Sequence, residues 1–127
     1  MNVVDSSGWL EYFTGGSNAS IFASAIEKTS DLIVPTVCIL EVFKKILREH
    51  GRDLAVEKIA YMKLGEIIPL DESLAMEAAE LSLQTRLPMA DSIILATAQR
   101  YSATVWTQDD DFKGIPGVKY WPKNARK

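Results

Sequence analysis

The sequence predicts an α/β fold in which a mainly parallel sheet carries helices on both faces. Short apolar segments typical of buried strands alternate along the chain with longer segments of helical periodicity. The chain has 127 residues, of which 47% are hydrophobic and one is cysteine. We therefore expect a single domain spanning residues 1–127, with a core that needs no disulfide.

The first half of the chain contains two predicted strands and four predicted helices. The strands are residues 2–4 and 32–34, and the helices are residues 8–13, 19–28, 36–50 and 52–64. Ser6 and Ser7 are candidate caps for the first helix, and Pro35 opens the third. The third helix has a predicted apolar stripe of Ile39, Leu40, Phe43, Ile46 and Leu47.

The second half continues the alternation. Residues 66–70 form a strand, and Pro69 within it indicates a sheet edge or a strand end. Asp71 caps a helix that runs to residue 86, and Pro88 takes the first position of a helix that runs to residue 101. Strands at residues 103–107 and 118–121 complete the sheet.

Composition excludes several classes of protein. The single histidine, His50, gives little support for a histidine-based zinc site or a Ser-His-Asp triad. The amino terminus does not resemble a signal peptide, and no apolar stretch approaches the ~20 residues needed to span a bilayer. We therefore expect a cytoplasmic protein without a membrane partner. A net charge of −3 argues against a sequence-tolerant nucleic-acid binder but leaves a metal-dependent nuclease open.

Four acidic residues fall where the predicted topology could bring them together. Asp5 and Asp109 each follow a buried-type strand, and the carboxyl ends of parallel strands lie at one edge of the sheet. Asp91 begins the helix that leads into the second of these strands. Glu41 begins the second turn of the helix after strand two, at the same edge. We therefore expect a cluster of carboxylates there.

Each acid also has a structural explanation on its own. Asp5 could simply cap the following helix. Asp91 lies in a first helical turn, where backbone N–H groups and the helix dipole favour an anion. Glu41 could be solvated and paired with Lys44 or Lys45. Four clustered carboxylates, however, need a counter-charge, and Mg²⁺ or Mn²⁺ with oxygen ligands would supply it beside a phosphate substrate.

The segments around these acids resemble the motifs of PIN-domain nucleases. They read VVDSS at residues 3–7, LEV at 40–42, ADSIILATA at 90–98 and WTQDDDF at 106–112. The match covers nearly the whole chain in order, and the last segment resembles the family's threonine–x–aspartate–x–x–phenylalanine motif. The length resembles that of the VapC-type toxins of toxin–antitoxin pairs.

The resemblance implies a PIN-like three-layer sandwich and Mg²⁺- or Mn²⁺-dependent cleavage of RNA. It also implies a homodimer that a cognate antitoxin inhibits. Carried over by residue, the metal-binding acids would be Asp5, Glu41, Asp91 and Asp109, with Asp111 as a further metal or supporting acid. Thr107 and Ser7 would be hydroxyl groups that orient a carboxylate or water, and Asp110 would be solvated.

Two other functions stay open from the sequence. A metal-dependent phosphotransfer enzyme would also begin with a strand that ends in Asp, but it would normally carry a second acid where Ser7 stands. A PIN fold that has become a binding module without catalysis is the other alternative. Lys44, Lys45 and Arg48 share the helix of Glu41 and could either hold a phosphate backbone or merely solvate an outer face.

Overall fold

A computed structural model describes residues 1–123 and contains one parallel five-stranded sheet. The strands are β1 (Asn2–Val4), β2 (Leu32–Pro35), β3 (Glu66–Ile68), β4 (Thr104–Thr107) and β5 (Val118–Tyr120). Their order across the sheet is β3-β2-β1-β4-β5, and each of these pairings is parallel. The predicted α/β class with a parallel sheet is confirmed.

Six α-helices in residues 1–123 connect the strands. They are α1 (Ser6–Thr14), α2 (Ala19–Ile26), α3 (Thr36–His50), α4 (Arg52–Met62), α5 (Glu72–Thr85) and α6 (Met89–Arg100). Because parallel crossovers are right-handed, α1–α4 cover one face of the sheet, and the reversal of direction after β3 places α5 and α6 on the other. The helices on both faces complete the three-layer sandwich.

The strand order reverses between β1 and β4, and this point determines where a ligand can bind. Val3 of β1 pairs with Ile33 of β2 on one side and with Val105 of β4 on the other. All three side chains are fully buried. In open parallel sheets, ligands bind outside the carboxyl ends of the strands at such a switch point. Asp5 and Asp109 follow the two strands that flank it.

Several predicted boundaries differ from the observed ones by one or two residues. Strand β3 ends at Ile68, so that Pro69 lies just beyond the end of an edge strand, as its lack of an N–H requires. Helices α2 and α4 each end two residues early, β4 begins at residue 104, and β5 ends at residue 120. Pro88 is the N-cap of α6 rather than its first residue, and Asp5 rather than Ser6 or Ser7 caps α1.

The predicted apolar stripe of α3 is partly wrong. Cys38, Val42 and Ile46, spaced four residues apart, form the buried face of this helix. Leu40 and Leu47 are 62% and 40% exposed. The predicted buried face is therefore rotated about the helix axis relative to the observed one. The amphipathic pattern of the sequence does not determine how the helix is rotated against the sheet and α1.

Candidate metal centre

Asp5 is positioned by both the strand it follows and the helix it begins. Its backbone N–H donates to the carbonyl of Trp106, 3.1 Å away, which extends the pairing of β1 with β4. Its side chain is the N-cap of α1, with Oδ1 accepting a 3.0 Å hydrogen bond from the N–H of Gly8. The structural role of Asp5 as a helix cap is therefore real. It also holds the carboxylate at the carboxyl end of β1.

Two hydroxyl groups complete the surroundings of the Asp5 carboxylate. Ser7 Oγ donates to Oδ1 at 2.7 Å, and Thr107 Oγ1 donates to Oδ2 at 2.7 Å. Asp5 is only 2% exposed, and this burial raises its pKa to about 6 although the three hydrogen bonds lower it. Ser7 and Thr107 thus both donate hydrogen bonds to the Asp5 carboxylate.

Thr107 links Asp5 to the turn that follows β4. Its Oγ1 accepts a 2.9 Å hydrogen bond from the backbone N–H of Asp109 while donating to Asp5. Asp109 in turn caps a short 3-10 helix, Asp110–Phe112, by accepting from the N–H of Asp111 at 2.9 Å. The Thr107 hydroxyl group therefore links Asp5, which follows β1, to Asp109, which lies in the turn after β4.

Asp91 lies among the other acids. It stands in the first turn of α6 and is 9% exposed. One carboxylate oxygen each from Asp91, Asp109 and Asp111 lie within 4.8 Å of one another. Burial, followed by the charges of Asp109, Asp5, Glu41 and Asp111, raises the pKa of Asp91 to about 7. The five predicted acids thus act on one another electrostatically.

Glu41 approaches the other acids from α3, and its charge contributes to the raised pKa of Asp91. Its Oε1 accepts a 2.6 Å hydrogen bond from Ser6 Oγ. Within residues 1–123 the structure gives no ion pair between Glu41 and Lys44 or Lys45, and Lys45 instead donates to Glu49 at 2.8 Å. Ser6 was predicted only as a helix cap. Its contact with Glu41 joins residues 35 positions apart, and no sequence signal marks it.

The acids line a groove of about 410 Å³ that has a basic wall. Four of them, Asp5, Glu41, Asp91 and Asp109, contribute to its surface. Lys44, Lys45 and Arg48 line the same groove from α3. The basic residues therefore lie beside the carboxylates rather than on a remote face. Asp110 is exposed, as predicted.

The donor set fits a hard divalent cation. All of its members are carboxylates, the ligands that Mg²⁺ and Mn²⁺ prefer, and three of them are close enough to share one ion. Burial and, after it, repulsion between neighbouring acids raise the pKa of Asp5 and of Asp91, and a bound cation would offset the unfavourable negative charge. The residues that would hold the ion are Asp91, Asp109 and Asp111, with Asp5 and Glu41 beside them.

One side chain of this region was missed in the sequence. Gln108 lies between Thr107 and Asp109, is 6% exposed, and takes part in a buried hydrogen-bond network with Asn18 and Glu11. A polar residue directly before a candidate metal ligand is a weak signal. Its partners lie about 90 residues away in the chain, so that only the fold reveals them.

Comparison with known proteins identifies a family and several structures that share the fold. The family model described as PIN domain matches residues 3–118. A toxin–antitoxin complex from Klebsiella pneumoniae contains a chain with 24% identity and a TM-score of 0.78, covering 94% of this chain and 96% of that one. No match is found among curated proteins.

Two further solved structures share the fold. One is VapC20 of Mycobacterium tuberculosis, a sarcin–ricin loop cleaving toxin, with 15% identity and a TM-score of 0.76 over 93% of this chain and 97% of that one. The other is VapBC2 of Rickettsia felis bound to a DNA fragment from its promoter, with 15% identity and a TM-score of 0.74 over 94% and 98%. Within residues 1–123, no helix is both long enough and apolar enough to cross a membrane.

Proposed function

The chain belongs to the PIN domain family, and from this premise we propose that it is a Mg²⁺- or Mn²⁺-dependent endoribonuclease, the toxin of a toxin–antitoxin pair. The observation that carries the proposal is the carboxylate cluster at the switch point of the sheet. Asp91, Asp109 and Asp111 approach within 4.8 Å, and Asp5 and Glu41 line the adjoining groove. A structural role alone gives no reason for five acids to converge there at such an electrostatic cost.

Each residue has a distinct part in the proposed chemistry. When bound, a divalent ion would activate a water molecule and neutralise charge on the scissile phosphate. Asp91, Asp109 and Asp111 would hold the ion from α6 and from the turn after β4. Glu41 would complete the site from α3, where Ser6 fixes its carboxylate. Thr107 and Ser7 keep Asp5 oriented toward β4 and α1.

The basic wall supports a polyanionic substrate despite the net charge of −3. Lys44, Lys45 and Arg48 line the groove that the acids line, so that a phosphate backbone could lie between the helix and the ion. Replacing Lys44 or Arg48 with alanine should raise the KM for RNA severalfold and leave kcat nearly unchanged. Lys28→Ala, which removes an exposed lysine from outside the groove, is the matched control. Equal effects at all three positions would contradict this assignment.

The proposed antitoxin partner rests on the likeness to chains solved in toxin–antitoxin complexes. We expect both proteins to act in the cytoplasm, where RNA is available. Expression of the tagged chain in its native host, followed by affinity purification, should yield a complex with a second protein in which RNA cleavage is inhibited. Recovery of the tagged chain alone, fully active, would contradict the proposal of an antitoxin.

The proposed homodimer is supported by exposed apolar side chains. Leu40 on α3 is 62% exposed, and Leu83 and Met89 on the α5–α6 face are 86% and 77% exposed. Light scattering after gel filtration should give twice the monomer mass. Leu40→Glu and Leu83→Glu test the two faces, and the variant that becomes monomeric identifies the interface. A monomeric wild type would refute the dimer.

Cleavage of a mixed RNA pool by the purified protein tests the central proposal. We expect cleavage with Mn²⁺ or Mg²⁺, none with EDTA, and none with Asp91→Asn. Asp110→Asn removes one exposed negative charge from the same region and should cleave normally. Metal binding by calorimetry without cleavage of any RNA, but with phosphatase activity, would favour the phosphotransfer alternative. Neither binding nor cleavage would favour a binding module.

A further inference from the structure

A buried polar network adjoins the metal centre and uses residues that the proposed chemistry does not. Asn18 Nδ2 donates to Gln108 Oε1 at 3.0 Å and to the carbonyl of Pro122 at 3.1 Å. Gln108 Nε2 donates to Glu11 Oε1 at 3.3 Å, and Glu11 Oε2 accepts from the N–H of Asn18 at 2.9 Å. Asn18 and Gln108 are 4% and 6% exposed. The hydrogen bonds form a closed ring through the side chains of Asn18, Gln108 and Glu11 and the backbone N–H of Asn18.

The chemistry of its ends fixes the orientation of both amides. A carboxylate and a peptide carbonyl can only accept hydrogen bonds, so Gln108 must present its NH₂ group to Glu11, and Asn18 must present its own to Pro122. The oxygen of Gln108 then faces Asn18, which can donate to it. Reversing the Gln108 amide would bring its oxygen against the Glu11 carboxylate, and reversing the Asn18 amide would bring its oxygen against the Pro122 carbonyl. Both changes would place two acceptors in contact. The ring is therefore satisfied in a single arrangement.

The network joins three segments that are distant in the chain. Glu11 belongs to α1, Asn18 lies in the loop before α2, and Pro122 follows β5. The loop is wrapped closely around Glu11, since a Cβ atom at Gly16 would collide with the Glu11 carboxylate. Gln108 is held against this assembly by its side chain and by a 3.4 Å hydrogen bond from its own N–H to Ser7 Oγ.

The held residue immediately precedes Asp109. Thr107 before it donates to Asp5, and Asp109 after it donates its backbone N–H to Thr107. A shift of Gln108 would therefore move the start of the turn that carries Asp109 and Asp111. Neither β4 nor the 3-10 helix contains residue 108. Its backbone is therefore held by the Gln108 side chain together with the hydrogen bond from its N–H to Ser7 Oγ.

We propose that Gln108 is a positioning residue of the metal centre: with Glu11 and Asn18 it fixes the turn that presents Asp109 and Asp111 to the ion. This inference rests on the proposed function. It assigns Gln108 no contact with substrate or metal. Its effect on metal affinity and cleavage passes through the placement of the two aspartates.

The proposal can be tested by swapping the glutamate and the glutamine of the ring between positions 11 and 108. Gln108→Glu places two carboxylates 3.3 Å apart at the contact with Glu11, whereas Glu11→Gln leaves too few acceptors for two donors. The double variant Glu11→Gln/Gln108→Glu restores every donor–acceptor pair of the ring and the wild-type net charge. Gln84→Glu, at an exposed position of α5, is the matched control for the added charge.

Two measurements follow each variant: amide hydrogen exchange at Asp109 by NMR, and Mn²⁺ affinity by calorimetry. We expect each single substitution to accelerate exchange at Asp109 and to weaken Mn²⁺ binding at least tenfold, and the double variant to return to within about threefold of wild type. The double variant has the wild-type net charge because the two single changes cancel. Recovery of Mn²⁺ affinity in the double variant therefore measures the interaction between residues 11 and 108. If one single variant does not fold, the other and the double variant still give the comparison.

Two results would overturn the inference. One is exchange at Asp109 that equals wild type in both single variants. The other is a double variant whose loss is the product of the two single losses. Hydrogen exchange needs no metal, so it tests the positioning role of Gln108 even if the wild type binds no Mn²⁺. Failure of the wild type to bind Mn²⁺ would separately refute the proposed function.

Discussion

Replacing Asp91 with asparagine should make the metal-free protein more stable while abolishing cleavage. The side chain keeps its size and its place in the first turn of α6, but it no longer carries a charge among four other acids. The pKa of Asp91 rises from 3.8 to about 7 in the folded protein. Burial, followed by the charges of the neighbouring acids, makes the ionised Asp91 carboxylate unfavourable in the folded protein at pH 8, and asparagine removes this cost.

The size of the effect follows from the pKa difference. A pKa raised from 3.8 to about 7 corresponds to about 4 kcal/mol in the free energy of unfolding. Solvent in the open groove screens part of the repulsion, so we expect about 2 kcal/mol. For a chain of this size that is a rise in Tm of roughly 6–10 °C.

The pH dependence separates this effect from ordinary stabilisation. Because the folded pKa is raised, wild type loses stability as the pH increases from about 4 to about 7, whereas the asparagine variant lacks this loss. The difference in Tm should therefore be full at pH 8 and nearly absent at pH 4. Thermal unfolding followed by circular dichroism in EDTA measures it, with Asp110→Asn as the control of equal charge change. An Asp91→Asn protein less stable than wild type at pH 8 would show that Asp91 serves as a structural anion of α6.

Three further outcomes are expected. Thr107→Val should lower the free energy of unfolding by about 1–3 kcal/mol at pH 8 and by less at pH 5, where Asp5 is largely protonated; chemical denaturation that gives equal losses would contradict the hydrogen bond. Gly8→Ala should also cost about 1–3 kcal/mol, since the new Cβ would lie 2.6 Å from Val4 Cγ1; an unchanged denaturation midpoint would show that the site relaxes. Mn²⁺ affinity measured by calorimetry should fall at least tenfold between pH 7.5 and 5.5, because Asp5 and Asp91 must lose protons to assist binding; a flat profile would exclude them.

The sequence alone was enough to predict the fold class and the edge of the sheet where the acids lie. Strand and helix periodicities are local, and they survive in the structure with boundaries shifted by one or two residues. Asp5 and Asp109 directly follow strands, so parallel pairing was sufficient to place both at one edge. Pro69 marked the end of an edge strand because a missing N–H is a property of the residue itself.

Tertiary structure decided how those residues are held. Periodicity predicts Leu40 and Leu47 as core positions, but both are exposed. The rotation of α3 about its axis depends on its packing against the sheet and α1. Ser6 reaches Glu41 across 35 residues, and Gln108 reaches Asn18 across 90. Hydrogen bonds of this kind depend on distances of a few tenths of an ångström between segments remote in the chain. No local pattern encodes such distances, so the carboxylates could be found in the sequence while the side chains that position them could not.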